Sequence, residues 1–183
     1  MQIHPHFLFN TLNTIYGLAL TKKDSAPGMI LKLADLLDYI LYETNKNKVP
    51  LHREIQHLKD YIELENLRFG NRLIAEISIA DFSTDIEIPP MLFLPFLENS
   101  FKHGKSAEGI LSIKWKLEII EDQLLFLLKN SVPARKEILD QNSGIGLENI
   151  QKRLKYIYGE AYGLEVITTK KSYSVLLKIP INF

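Results

Sequence analysis

Three clusters in this chain group residue types that do chemistry. The first is Pro5-His6-Phe7-Leu8-Phe9-Asn10. His6 and Asn10 are four residues apart, so a helix puts them on one face. A free imidazole titrates near pH ~6.5 and is largely unprotonated at neutral pH. An exposed His beside an amide is therefore a usable nucleophile. Pro5 has no N–H and disturbs the helix before His6, which bares a carbonyl near the ring. The plainer alternative is a surface His on an amphipathic helix. The second cluster lies within Pro89–Gly104, where Glu98, Asn99, Lys102 and His103 recur at helical spacing. Carboxylate and amide oxygens suit a hard cation such as Mg²⁺, and an ammonium meets phosphate as a point charge. A solvated helix face is the competing reading. The third is Ser143-Gly144-Ile145-Gly146-Leu147-Glu148, with Arg153 beyond. Gly-x-Gly entering a helix lets backbone N–H groups approach a phosphate. No Gly-Lys-Ser/Thr follows, so this is not a Walker loop. Nor does it follow a strand directly, as a dinucleotide fingerprint does.

These clusters need elements to hold them. Apolar spacing predicts helices over 3–21 and 28–45, joined by a short polar break at Lys22–Pro27. A loop that short implies an antiparallel hairpin. Phe7 is expected to point away from the face of His6 and Asn10, with Leu8 and Phe9 supplying core. Ile30, Leu33, Leu37, Ile40 and Thr44 form a bundle-like seam, and Leu31, Ala34 and Leu41 widen it beyond what one hairpin covers. Two hairpins packed as a four-helix bundle would cover it, so a homodimer is expected. The polar, Pro-ended stretch Asn45–Pro50 is the expected boundary, giving a hairpin domain at 1–46 and a second domain at 47–183. The second domain reads as a helix over 51–69, a strand over 73–80, a helix from about 90 to 103 stopped by Gly104, strands over 110–119 and 124–129, a polar connection, a helix over 145–158, and a hairpin over 164–169 and 173–179. That order suits one helical layer on one mixed sheet, an α+β fold.

Composition narrows the function. The chain has 183 residues, 46% apolar and 24% charged, which is ordinary globular composition and argues against disorder. Lys plus Arg number 22 and Asp plus Glu number 22. A nonspecific nucleic-acid binder would show a basic excess, so no nucleic-acid partner is expected. Cysteine is absent, which excludes disulfides, thiolate metal sites and Cys nucleophiles. No apolar run reaches the ~18 residues a membrane span needs. Chemistry so near an N-terminus, where chains fray, suggests a piece of a longer protein.

Together, and in this order, the three clusters resemble a LytS/YehU-type sensor histidine kinase. Residues 2 to 10 are similar to the H-box of that branch, with His4 where Asn usually stands. Leu51–Arg72, with Tyr61-Ile62-Glu63-Leu64-Glu65 and Arg68-Phe69, resembles the segment leading into its ATP-binding domain. Glu98-Asn99 with Lys102-His103 matches the N-box of the ATPase superfamily shared with gyrase, and Gly144-Ile145-Gly146-Leu147 its second glycine box. The resemblance implies a dimerising, phosphoaccepting hairpin followed by a Bergerat-type α/β sandwich of the GHKL class. It implies His6 as phosphoacceptor with Asn10 beside it, and Glu98 as polarising base. Asn99 is implied as the Mg²⁺ ligand. Lys102, His103, Gly144, Gly146 and Leu147 are implied as nucleotide contacts. ATP and Mg²⁺ are the implied cofactors, and a response regulator, of LytTR type, the implied partner. The implied location is the cytoplasmic side of the inner membrane, with attachment only through segments outside this chain.

The chain departs from that family in two places. Phe7 stands where many histidine kinases carry an acid after the phosphoacceptor, so a base must come from elsewhere, most plausibly Glu98. The first glycine box, Asp-x-Gly-x-Gly, is replaced by Leu128-Lys129-Asn130-Ser131-Val132-Pro133. There the Asn130 amide oxygen is the expected substitute acceptor for the adenine amino group. The alternative function is a nucleotide-binding scaffold or phosphatase with weak kinase activity. A metal or interaction module at His4-Pro5-His6 is a third reading, short of the four ligands structural zinc takes.

Overall fold

The computed structural model describes residues 5–83, 85–104, 109–133 and 143–181; within these, the side chains of 143–145 are left aside. Two compact units divide the chain. One holds residues up to Asn71 together with Glu87–Leu92, and the other holds Arg72–Ile86 and everything from Phe93 onward.

The first unit is helical. α1 (Pro5–Leu20) and α2 (Ala26–Tyr42) form the expected hairpin, and α3 (Leu51–Phe69) packs on both. The sequence reading places this third helix with the sheet, whereas the compact units place it with the hairpin. The difference reflects the unusually wide buried arc of α3. Besides Ile55, Leu58, Ile62 and Leu64 it buries Glu54, His57, Asp60, Tyr61 and Glu65. Tyr61 stacks on Phe7 with ring centroids 4.6 Å apart. Phe7 is thus core, and Phe9, expected to supply core, is exposed instead, because α3 supplies a partner on the Phe7 side. Ile30 is likewise exposed, while Leu36 and Tyr39 join Leu33 and Ile40 in the buried seam. α2 ends at Tyr42, and a single 3-10 turn (Glu43–Asn45) follows.

Buried charges in this unit are paired, as they must be. The Tyr39 hydroxyl donates to Glu54, which also accepts from the Met91 N–H at 2.9 Å. Burial and the Glu54 carboxylate push the Tyr39 hydroxyl well above its usual range. Lys32 reaches across from α2 to Asp60 at 2.9 Å and Glu63 at 2.8 Å. Two two-residue strands close the unit. β1 (Val49–Pro50) runs antiparallel to β3 (Glu87–Ile88), inside what reads in sequence as a linker.

The second unit is a five-stranded mixed sheet. β2 (Leu73–Ile79), β4 (Leu111–Ile120), β5 (Gln123–Ser131), β6 (Gly163–Thr168) and β7 (Ser172–Pro180) take the order β2-β4-β5-β7-β6. Only β2 and β4 are parallel. Alternation sends Leu111, Ile113, Trp115 and Leu117 of β4 inward, with Leu124, Phe126, Leu128 and Asn130 of β5, and Val175, Leu177 and Ile179 of β7. Each buried aliphatic or aromatic side chain there contributes roughly 1.5–3 kcal/mol. The helices of this unit are α4 (Leu94–His103) and α5 (Ser143–Tyr158), which pack on one another. Phe93 stacks on Phe126 at 4.5 Å. The helix expected from 90 begins instead at Leu94. Met91 sits at φ 53°, a left-handed conformation no helix accommodates, and Pro95 serves as the helix-opening proline.

His57 yields a pH test. Its ring stacks on Tyr39 at 3.8 Å, and its buried Nδ1 has no hydrogen-bond partner among the described residues. Burial lowers its pKa below the ordinary 6.5, outweighing the attraction of Asp60, Asp35 and Glu43, and Arg53 lowers it further. Above the unfolded pKa both states are neutral and nothing is lost. As pH falls below it, the unfolded chain takes up a proton that the folded chain resists, so stability declines. His57→Phe keeps a ring for the stack and removes the proton. The slope of melting temperature against pH, over about pH 5 to 7, is expected to flatten in this variant relative to the parent, and an unchanged slope would contradict the assignment.

Candidate functional site

His6 lies exposed in the first turn of α1. The Asn10 amide nitrogen lies 3.0 Å from its Nδ1 and 3.2 Å from its Nε2. The structure therefore brings the expected nucleophile and its amide together. An amide N–H can donate only to a ring nitrogen that carries a lone pair, so the contact depends on the tautomer of the ring. The buried Phe7 on the next position anchors the turn. His4 lies outside the described residues.

α4 presents the second cluster. Leu94, Phe96, Leu97 and Phe101 are buried and fix the helix against its core. That rotation leaves Glu98 and Asn99 half-buried and Lys102 and His103 exposed. The Gly-x-Gly of the third cluster falls inside the first turn of α5, since that helix starts at Ser143 rather than 145. Gly146 lies against Asn99: a methyl group there would meet the Asn99 amide oxygen at 3.7 Å and its nitrogen at 3.8 Å. Asn99 and the start of α5 are thus juxtaposed within one unit, and the first-turn N–H groups of a helix lack intrahelical partners. Leu147 is half-buried beside them. The oxygen donors Glu98 and Asn99 with the cation Lys102 fit a metal-chelated triphosphate. Among the described residues no group of three or more His, Cys, Asp or Glu could hold a metal. A Mg²⁺ here would take most of its ligands from phosphate and water, its usual habit.

Asn130, at the end of β5, is buried, and each end of its amide makes a hydrogen bond. Its Nδ2 donates to the Ser131 carbonyl at 2.6 Å, and its Oδ1 accepts from Ser100 Oγ at 3.0 Å. Ser131 Oγ donates to the Gly104 carbonyl and accepts from the Ser112 N–H at 3.0 Å. Sequence reading missed Ser100, Gly104 and Ser131 as a unit. A signal existed: Ser100 falls on the buried stripe Leu97–Phe101 of α4, and Asn130 on the inward parity of β5. Two inward polar groups in one core have to pair. Gly104 closes α4 through its N–H to the Ser100 carbonyl at 2.8 Å. A side chain at 104 has no room: its Cβ would overlap the Ser100 carbonyl, Leu111 Cδ1 at 2.5 Å and Asn130 Nδ2 at 2.9 Å.

Among the described residues no helix is long and apolar enough to cross a membrane. Residues 1–73 match the histidine kinase family. Sensor protein LytS of Oceanobacillus iheyensis is 33% identical over 98% of this chain, which spans 33% of that protein. Sensor histidine kinase BtsS of Escherichia coli K12 is 30% identical over 98% of the chain, spanning 32% of its length. The chain thus corresponds to about a third of the curated relatives it matches. Among solved structures, the catalytic domain of the histidine kinase ThkA shares the fold, with a TM-score of 0.56 at 13% identity, covering 73% of this chain and 94% of that one.

Overpacking at position 104 gives the test of this network. Gly104→Ala is expected to destabilise the second unit by about 1–3 kcal/mol, read as a lowered melting temperature. A variant as stable as the parent would show that the site is looser than described.

Proposed function

Because this chain belongs to the histidine kinase family, we propose that it carries the phosphoaccepting hairpin and the ATP-binding domain of a sensor kinase, with the hairpin within 1–46 and the nucleotide domain within 47–183. The observation that carries the reading is one exposed, amide-flanked imidazole together with Asn99 lying against Gly146 at the start of α5, on a single chain. ATP is the substrate. A lone pair of His6 attacks the γ-phosphorus in line; the bond to the bridging β-phosphate oxygen breaks, and ADP leaves. The ring gives up its remaining proton, for which Glu98 is the assigned base. Asn10 orients the ring. Asn99 holds Mg²⁺, which when bound offsets charge on the phosphates. Lys102 and His103 meet phosphate or ribose, the backbone of Gly144, Gly146 and Leu147 cradles the phosphates, and Asn130 reads the base. His6 and Asn99 lie on different compact units, so transfer requires the two to meet, and such a motion can limit the rate.

The phosphoryl group then passes to an aspartate of a response regulator, of LytTR type. The parent protein works on the cytoplasmic side of a membrane. The chain acts as a homodimer: Phe9, Leu12, Tyr16 and Leu20 of α1 and Ile30, Leu31, Leu41 and Tyr42 of α2 are each 48–67% exposed, a greasy surface a second hairpin would cover. A second reading, a nucleotide-binding scaffold or phosphatase with weak kinase activity, is favoured by one observation, the neutral Asn130 in place of an acid.

Two measurements separate these. Label from γ-labelled ATP is expected on the parent chain and absent from His6→Gln; equal labelling of both would remove His6 from the reaction. In calorimetry Asn99→Ala is expected to weaken Mg-ATP binding by about tenfold or more, the scale of a lost metal-ligand or charge-assisted contact. Binding of Mg-ATP without any labelling selects the scaffold reading.

A further inference from the structure

Three non-glycine residues among those described have a positive φ: Lys22, Met91 and Glu121. Lys22 and Glu121 lie in exposed turns. Met91, at φ 53°, is 3% exposed. A β-carbon makes this conformation costly, and strain of this kind persists only where the surroundings impose it. Here a carboxylate imposes it. The Met91 N–H donates to Glu54 Oε2 at 2.9 Å, and the same oxygen accepts the Tyr39 hydroxyl. Glu54 is 1% exposed, so bulk water offers that N–H no substitute acceptor.

Met91 stands between two stiff stretches. Pro89 and Pro90 before it have ring-fixed φ values. After it, Leu92 and Phe93 are buried, and Phe93 stacks on Phe126 at 4.5 Å. The Phe93 carbonyl accepts the Phe96 N–H at 3.1 Å and so opens α4. The chain passes from the first compact unit to the second between Leu92 and Phe93. The torsion at Met91 therefore sets the direction in which the chain enters α4. Relaxed to the right-handed region, Met91 would turn Leu92 and Phe93 out of line, and the helix carrying Glu98 and Asn99 would shift with them.

We infer that Glu54 is a positioning residue for nucleotide binding: its carboxylate holds Met91 left-handed, and that turn aims α4 so that Asn99 lies beside Gly146. Glu54 acts through the backbone of Met91 and takes no part in phosphoryl transfer. The inference rests on the nucleotide-binding reading above.

The test measures dissociation constants of Mg-ATP and melting temperatures for the full chain and its variants. Glu54→Met removes the acceptor and keeps the length of the side chain. It is expected to weaken Mg-ATP binding by roughly five- to tenfold, the scale of one strained residue. Adding Met91→Gly is expected to return the affinity to within about twofold of the parent, since glycine takes a positive φ freely. The melting temperature of that double variant falls further, because a buried side chain is lost. Affinity and stability thus move in opposite directions. A merely structural Glu54 would lose both in step, and the double variant would bind more weakly still; that result overturns the inference. So does a Glu54→Met chain that binds Mg-ATP as tightly as the parent, which leaves the nucleotide site standing. Should Glu54→Met not fold, the turn is tested with Glu54 in place. Met91→Val, whose branched side chain resists a positive φ, is expected to bind Mg-ATP more weakly than Met91→Gly although it buries more apolar surface, and the reverse order overturns the inference. A parent that does not bind Mg-ATP overturns the nucleotide-binding reading and this inference together.

Discussion

A polar side chain turned into a dry core costs free energy unless it finds a partner inside the protein, because water cannot reach it. That obligation organises both compact units. In the helical unit Glu54 is almost completely buried and answers to two donors, the Tyr39 hydroxyl on α2 and the Met91 backbone N–H. One carboxylate thus ties α2, α3 and the Glu87–Leu92 segment together. In the sheet unit Asn130 does the corresponding work, joining the end of β5 to α4 through Ser100 and to its own strand through the Ser131 carbonyl. Apolar burial supplies most of the stabilising free energy, but it is tolerant of small rotations. A buried hydrogen bond is not. It weakens within a few tenths of an ångström, so these pairs set the register of the helices against their neighbours.

The placement of the chemistry follows from that register. α4 is amphipathic, and its apolar side is committed to Leu97 and Phe101 together with the paired Ser100. Asn99 is the residue before Ser100, so it turns about 100° away and comes to lie beside Gly146. A small residue at 146 leaves the Asn99 amide room to face whatever docks at the start of α5. Gly104 answers to close packing instead, since any side chain there would drive into the Ser100 carbonyl, Leu111 and Asn130.

On the hairpin, the helical geometry separates two duties. Phe7 turns inward to stack on Tyr61, while His6 beside it stays in solvent with Asn10 one turn further on. An aromatic anchor next to an exposed imidazole restricts the backbone without covering the ring. The exposed apolar row of α1 continues along the helix from Phe9 to Leu20, so the imidazole stands at one end of the greasy face rather than in it.

Much of this was determined by local sequence. Apolar spacing located the three helices of the first unit, and strict alternation located the central strands, because helical and extended backbones impose different periods on buried side chains. His6 could be grouped with Asn10, and Glu98 and Asn99 with Lys102 and His103, for the same reason: a spacing of three or four is a statement about one helix face. Other features answer to residues far apart in the chain, and only the tertiary structure decided them. Phe7 turned inward because Tyr61, 54 positions away, was there to meet it. α4 began at Leu94 rather than 90 because Glu54 holds Met91 in a conformation no helix can include. The direction of the Asn130 amide was set by a backbone carbonyl and a serine 30 residues upstream. Periodicity reports which way a residue faces; what it faces depends on chain closure, and a hydrogen bond's polarity is a property of both partners.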